Sequence, residues 1–190
     1  MPFPELKYVN ASVLISDAAA TVSNVGNVFF FGGVVQGEES DERIGKEITL
    51  NKLKIRGFTL CNTNGVNQAV RIVVIQYFGD TQNGTIPQWN DIFTRASGNL
   101  DSIQSFYGRD VQGNFKVLHD HIYINVDGAS NKQNEVRLEL PLNRQKITFV
   151  ANNDNPQNGC VAMYAITENA ATANSLPLFY FRSRLTYYDN

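Results

Sequence analysis

The chain is 190 residues long, 43% hydrophobic and 18% charged, with a formal net charge of -2. That length supports one sizeable core rather than two, the apolar content excludes a disordered chain, and the near-balanced charge excludes a whole-molecule field drawing it onto nucleic acid or an anionic membrane. With 12 Phe and 8 Tyr, the composition favours half-buried pleated surfaces and hence β structure.

Residues 1–24, MPFPELKYVNASVLISDAAATVSN, carry two early prolines and many small side chains. They are expected to form an extended arm on a single domain spanning residues 25–190. No basic start followed by a long apolar run occurs, so neither a signal peptide nor a membrane anchor is expected. Cys61 and Cys160 are too few for a disulfide framework and either pair or stay reduced.

A first strand is expected over residues 25–35, VGNVFFFGGVV, with a bulge or bend at Gly32-Gly33. A charged loop follows from Gln36 to Asp41. Between Lys46 and Cys61 the apolar residues change parity twice, from Ile48 and Leu50 to Leu53 and Ile55 and then to Phe58 and Leu60. Two irregularities are therefore expected, the second at Gly57. Lys52, Lys54 and Arg56 share the face opposite Leu53 and Ile55, either as a solvated strand face or as a basic row that meets a partner. Residues 69–79, AVRIVVIQYFG, read as a central strand covered on both faces, with Arg71 its one strong exception.

Pro87 opens a short helix placing Trp89, Ile92 and Phe93 on one side, with Trp89 as a packing anchor. Residues 97–113 form an irregular loop around Phe106 and Tyr107. Five more strands are expected. Residues 114–126 use both faces; in residues 134–142, Val136, Leu138, Leu140 and Leu142 alternate with Glu135, Arg137 and Glu139; residues 146–151 and 160–166 are shorter. The last strand, residues 176–188, sets Phe179, Phe181, Leu185 and Tyr187 against Tyr180, Arg182 and Arg184. About eight strands with one short helix make an all-β sandwich or jelly roll.

His119-Asp120-His121 is the one histidine cluster. Its imidazoles point the same way on a strand, a spacing that suits a metal with a third ligand or polar side chains at a surface. No glycine-flanked nucleophile, paired carboxylates at acid–base spacing, phosphate-cradling glycine loop or EF-hand loop occurs. The expectation is a protein that is not an enzyme and uses neither cofactor nor metal.

In order along the chain, VVQGEESDERIGKEITLNKLKIRG, VRIVVIQYF, GTIPQWNDIF and FKVLHDHIYIN resemble the capsid proteins of small circular single-stranded DNA viruses that encode a replication-associated protein. They are also similar in pattern to the shell proteins of small satellite viruses such as satellite tobacco necrosis virus. The motifs that carry the resemblance are Arg43 to Gly45 before a basic strand, Val70-Arg71, Gly84 to Pro87 before the short helix, Phe115 to Asp120, and the final RSRLTYYD. The resemblance implies an eight-stranded antiparallel jelly roll, strands one, eight, three and six forming one sheet and two, seven, four and five the other. It further implies assembly of about sixty copies into a closed, T=1-like icosahedral shell enclosing a circular single-stranded DNA genome, with the virion as its location. Arg71, Arg182 and Arg184 would lie on neighbouring strands facing the nucleic acid. Glu42, Arg43, Lys46, Trp89 and Tyr107 would lie at subunit contacts, so that Arg43→Glu blocks assembly and spares the fold.

One departure bears on the partner. Family members carry a long basic arm, whereas residues 1–40 hold a single cation, Lys7. Contact between this chain and viral DNA is therefore expected to be weakened. The alternative reading is a jelly-roll carbohydrate- or receptor-binding module of a small oligomer, stacking loop aromatics such as Trp89, Phe106 or Tyr107 on sugars. A cupin-like enzyme would need a fuller histidine and carboxylate set than His119 and His121 begin.

Overall fold

A computed structural model describes residues 5–14, 22, 27–39, 41–61, 68–81, 87–94, 103–108, 113–126, 133–149, 154, 156–167 and 176–189. Among them are nine strands and one short helix: β1 (Glu5–Val13), β2 (Asn27–Phe31), β3 (Glu47–Leu60), β4 (Gln68–Asp80), α1 (Trp89–Ile92), β5 (Phe115–Asn125), β6 (Asn134–Pro141), β7 (Lys146–Phe149), β8 (Pro156–Ile166) and β9 (Leu178–Asp189). All strand pairs are antiparallel.

The pairing is that of an all-β jelly roll. β9 lies between β1 and β3, and β3 also carries β6, giving β1-β9-β3-β6. β8 lies between β2 and β4, and β4 carries β5, giving β2-β8-β4-β5. The short β7 touches both β3 and β8 and so joins the two sheets into one continuous hydrogen-bonded path. The expected arrangement of eight strands holds only once the count is corrected: β1 is the first strand, and residues 146–149 bridge the sheets rather than filling a place in either.

Residues 5–13 are thus no arm. They pair with β9 from Glu5 opposite Asp189 to Val13 opposite Phe181. The remainder of the expected arm lies outside the described residues apart from Leu14 and Val22, as do Gly84 and most of its loop.

The sheets close on a core that needs apolar side chains from both inner faces. β6 supplies Val136, Leu138 and Leu140 with the strict alternation its sequence carries, and Leu142 just past its end continues it. β4 contributes Val70, Ile72 and Val74 to this core and turns Val73 and Ile75 to the other side. There a second core forms under α1, where Trp89 stacks on Phe93 with ring centroids 3.8 Å apart and Tyr164 Oη donates to the Pro87 carbonyl at 2.7 Å. Covering both faces explains why β4 reads as nearly continuous hydrophobe.

β3 departs from its expected course in one place. The first irregularity is real, a register shift against β9 between Leu50 and Lys52. At Gly57 there is none: Leu53, Ile55, Gly57 and Thr59 all face inward, and Phe58 and Leu60 point outward. Gly57 is required there because a Cβ would lie 2.3 Å from the Tyr180 carbonyl oxygen and 2.7 Å from Phe181 Cβ. The vacated space lets Phe181 pack edge-on against Phe29 at 5.0 Å. Gly57→Ala is accordingly expected to cost about 1–3 kcal/mol through overpacking against backbone that cannot yield, measured as a lowered urea midpoint.

Candidate functional site

The outer face of β1-β9-β3-β6 gathers the residues of greatest functional interest. Because side chains alternate along each strand, the inward set Leu53, Ile55, Phe181, Leu185, Val136 and Leu138 forces Lys52, Lys54, Arg56, Arg137, Arg182 and Arg184 onto one outward face. Register then lines them up in rows across the strands. One row runs Ser12, Arg182, Arg56, Arg137, and the next runs Asn10, Arg184, Lys54, Glu139. Neighbouring strands are about 4.8 Å apart and successive outward rows about 6.7 Å apart.

In the second row each cation has a partner within the chain. Lys54 pairs with Glu139 at 3.5 Å, and Arg184 donates to Asn10 Oδ1 at 2.9 Å while its guanidinium lies 4.4 Å over the Tyr8 ring. The first row differs. Arg182, Arg56 and Arg137 stand directly opposite one another, all exposed, and among the described residues no carboxylate pairs with any of them. Like charges directly opposite destabilise a sheet, so this row is an electrostatic cost that an anion lying across it would relieve. An open groove of about 650 Å³ runs over the β1, β9 and β3 positions of these two rows.

Arg182 and Arg184 thus point outward from the core, joined by the β3 cations. Arg71 is not among them. It sits on β4 in the other sheet, 7% exposed, with Nε donating to Asp120 Oδ1 at 2.8 Å and Nη2 to Oδ2 at 2.7 Å. Its Nη1 donates to the carbonyls of Ile103, at 3.0 Å, and Ser105, at 2.6 Å. Tyr107 Oη donates to the same Asp120 carboxylate. This cluster fastens the 103–108 loop to β4 and β5 and commits four of the five Arg71 N–H donors within the chain. Burial opposes ionisation of Asp120, but hydrogen bonds from Arg71 and Tyr107 outweigh it and hold the carboxyl below its ordinary range.

The expected subunit contacts also divide. Lys46 is exposed. Glu42 is half-buried, its carboxylate accepting the Glu39 amide at 2.9 Å. Arg43 is fully buried within its own subunit, donating to the Val34 and Gly45 carbonyls and lying 4.1 Å over the Phe149 ring. Burial lowers the affinity of its guanidinium for a proton, with Asp154 and Asp189 acting in the opposite sense. The expectation for Arg43→Glu is therefore corrected: a carboxylate there would be buried beside those two acids, and the substitution tests folding, not assembly. Trp89 is likewise buried, and Tyr107 is half-buried with its hydroxyl committed to Asp120. Of the aromatics a sugar-binding module would use, Phe106 alone is freely presented, at 81% exposure.

Lys7, the sole cation of the first forty residues, is no remnant of a basic arm. Its Nζ lies 3.2 Å from Asp189 Oδ2 and donates to the Glu42 carbonyl at 2.9 Å. His119 and His121 share one side of β5, and His119 Nε2 lies 3.3 Å from Tyr123 Oη. Burial and then the neighbouring His121 push His119 below its ordinary value. Among the described residues no group of three His, Cys, Asp or Glu is placed to hold a metal. Cys61 and Cys160 are not joined in a disulfide; Cys61 Sγ donates to the Asn125 carbonyl at 3.2 Å, and burial pushes the Cys160 thiol up to about 12.

Exposed apolar side chains collect elsewhere. Of the eleven large ones among the described residues, Val117, Ile122 and Ile124 lie on β5, Val126 follows it and Phe106 stands on the adjoining loop. Among the described residues β5 pairs with β4 alone in the sheet, and no strand lies along its other edge. An apolar, open edge is a site for pairing with another chain.

No family model matches the sequence, and no curated protein matches it significantly.

Proposed function

We propose that this chain is a structural capsid subunit, which assembles with about sixty identical copies into a small closed icosahedral shell around single-stranded DNA and so belongs to a virion. One observation carries the reading: a two-sheet jelly roll has one sheet whose outer face bears an uncompensated arginine row, while the edge of the other sheet is apolar and open. A shell subunit needs these two surfaces, one for a polyanionic cargo and one for its neighbours. Arg182, Arg184, Arg56, Arg137, Lys52 and Lys54 face the nucleic acid in this reading. The β5 edge with Phe106, and the exposed Lys46, meet neighbouring subunits.

Light scattering and negative-stain electron microscopy of the purified chain across a salt series test this. Uniform closed particles are expected. Ile124→Glu, which alters a side chain already 63% exposed, is expected to keep the circular dichroism spectrum and cut particle yield at least tenfold. A stable monomer or trimer under all conditions contradicts the proposal.

A further inference from the structure

The row beside the arginines is aromatic. Tyr180 stands opposite Phe58, and Phe58 opposite Glu135, one outward position along from Arg182, Arg56 and Arg137. The Phe58 and Tyr180 rings are tilted by 34° with centroids 5.7 Å apart, and both are partly exposed. They floor a mainly apolar groove of about 590 Å³ that Arg56 and Arg182 border on its basic side. Inward-facing Gly57 keeps this pair outward, because the strand passes it without a bulge.

We propose that Phe58 and Tyr180 form a stacking platform for an unpaired base, with the phosphates of the same strand lying across Arg182, Arg56 and Arg137. The two rows are about 6.7 Å apart, an offset that a single nucleotide spans between its backbone and its base. Cations alone would not prefer single strands, since a duplex presents more charge per length and releases more counterions per phosphate contact. Stacking requires a base that has left its pair, and any base has a face to offer. The platform therefore gives this sheet a preference for single-stranded over duplex nucleic acid without reading sequence. This inference rests on the shell reading only in taking nucleic acid as the cargo.

Fluorescence anisotropy with three probes of equal length tests it on the full chain: labelled oligo-dT, an abasic oligodeoxynucleotide and a duplex. The wild type is expected to bind oligo-dT about tenfold more tightly than the abasic strand, within the range for one stacked base. The Phe58→Leu, Tyr180→Leu double variant keeps apolar bulk and should erase that difference while leaving the abasic affinity unchanged. The Arg56→Ala, Arg137→Ala, Arg182→Ala variant should weaken both and reduce the salt slope by about 2, at roughly 0.7 per lost contact. Thermal unfolding confirms that each variant is folded. Equal affinity of the wild type for oligo-dT and the abasic strand overturns the inference, as does a base preference that survives the double leucine variant. Particle formation is scored in parallel. Shells without a base preference reject the platform and leave the shell reading standing; a base preference without shells does the reverse.

Discussion

Asp189→Ala is expected to remove about 3–5 kcal/mol of unfolding free energy, a large part of what a single domain possesses. The carboxylate is almost wholly buried, its side chain 4% exposed, and it accepts the Ile44 amide at 2.8 Å while pairing with Lys7, whose side chain is 3% exposed. Lys7 in turn donates to the Glu42 carbonyl. Three segments distant in sequence, the first strand, the 36–46 loop and the last strand, are thus tied at one point. Removing Asp189 leaves Lys7 with backbone carbonyls and the exposed Glu5 carboxylate 4.0 Å away, and the Ile44 amide without its acceptor. Urea unfolding followed by fluorescence of Trp89, the sole tryptophan, measures the loss. A Lys7→Met, Asp189→Leu double variant should lose less than the single substitution, because no charge is then buried alone. A loss below about 1 kcal/mol for Asp189→Ala would show that the knot does not hold these segments.

Asp120→Ala should cost about 1–2 kcal/mol, less than breaking a fully buried pair, because the Asp120 side chain is 28% exposed and Arg71 keeps the Ile103 and Ser105 carbonyls. The pair also sets an acid limit. Asp120 titrates below its ordinary range in the folded chain, so its contribution is full above its unfolded value near about 3.9 and is lost as pH falls through the lower folded value. Thermal unfolding between pH 5 and pH 2 should show a fall in stability confined to the acid end. Asp120→Asn should lower Tm at pH 5 and flatten that fall. A variant with unchanged acid dependence would place the acid sensitivity elsewhere.

How far the sequence revealed this molecule depended on what the physics of each segment left visible. β6 was plain because one face is buried and one is wet, which writes a period of two into Val136, Leu138 and Leu140. β1 was hidden because its most buried side chain is a lysine, and its place is fixed by backbone pairing with a strand at the far end of the chain. At Phe58 and Leu60 the rule that apolar means inward failed, since an outward aromatic row obeys the same alternation. The conflict around Gly57 was the available signal for that row.

The candidate site was half legible. Alternation alone put Lys52, Lys54 and Arg56 on one face and Arg182 and Arg184 on another, but their union, and the addition of Arg137, required the register of β3 with both neighbours. Arg71 stood out as the exception in an apolar strand, yet its partner lies 49 residues away and is brought to a diagonal position, opposite Val73, by β4–β5 pairing. Arg43 looked like a contact residue because charged loops are usually exposed; its burial arises from the loop folding over Phe149.

Cryo-electron microscopy of particles assembled from the full chain tests the central claim most directly. The account predicts a closed icosahedral shell in which the β1-β9-β3-β6 face, with Arg56, Arg137 and Arg182, lines the interior and the β5 edge is covered by a neighbouring subunit. A shell with that basic face turned outward, or a chain that forms no closed particle, would contradict it.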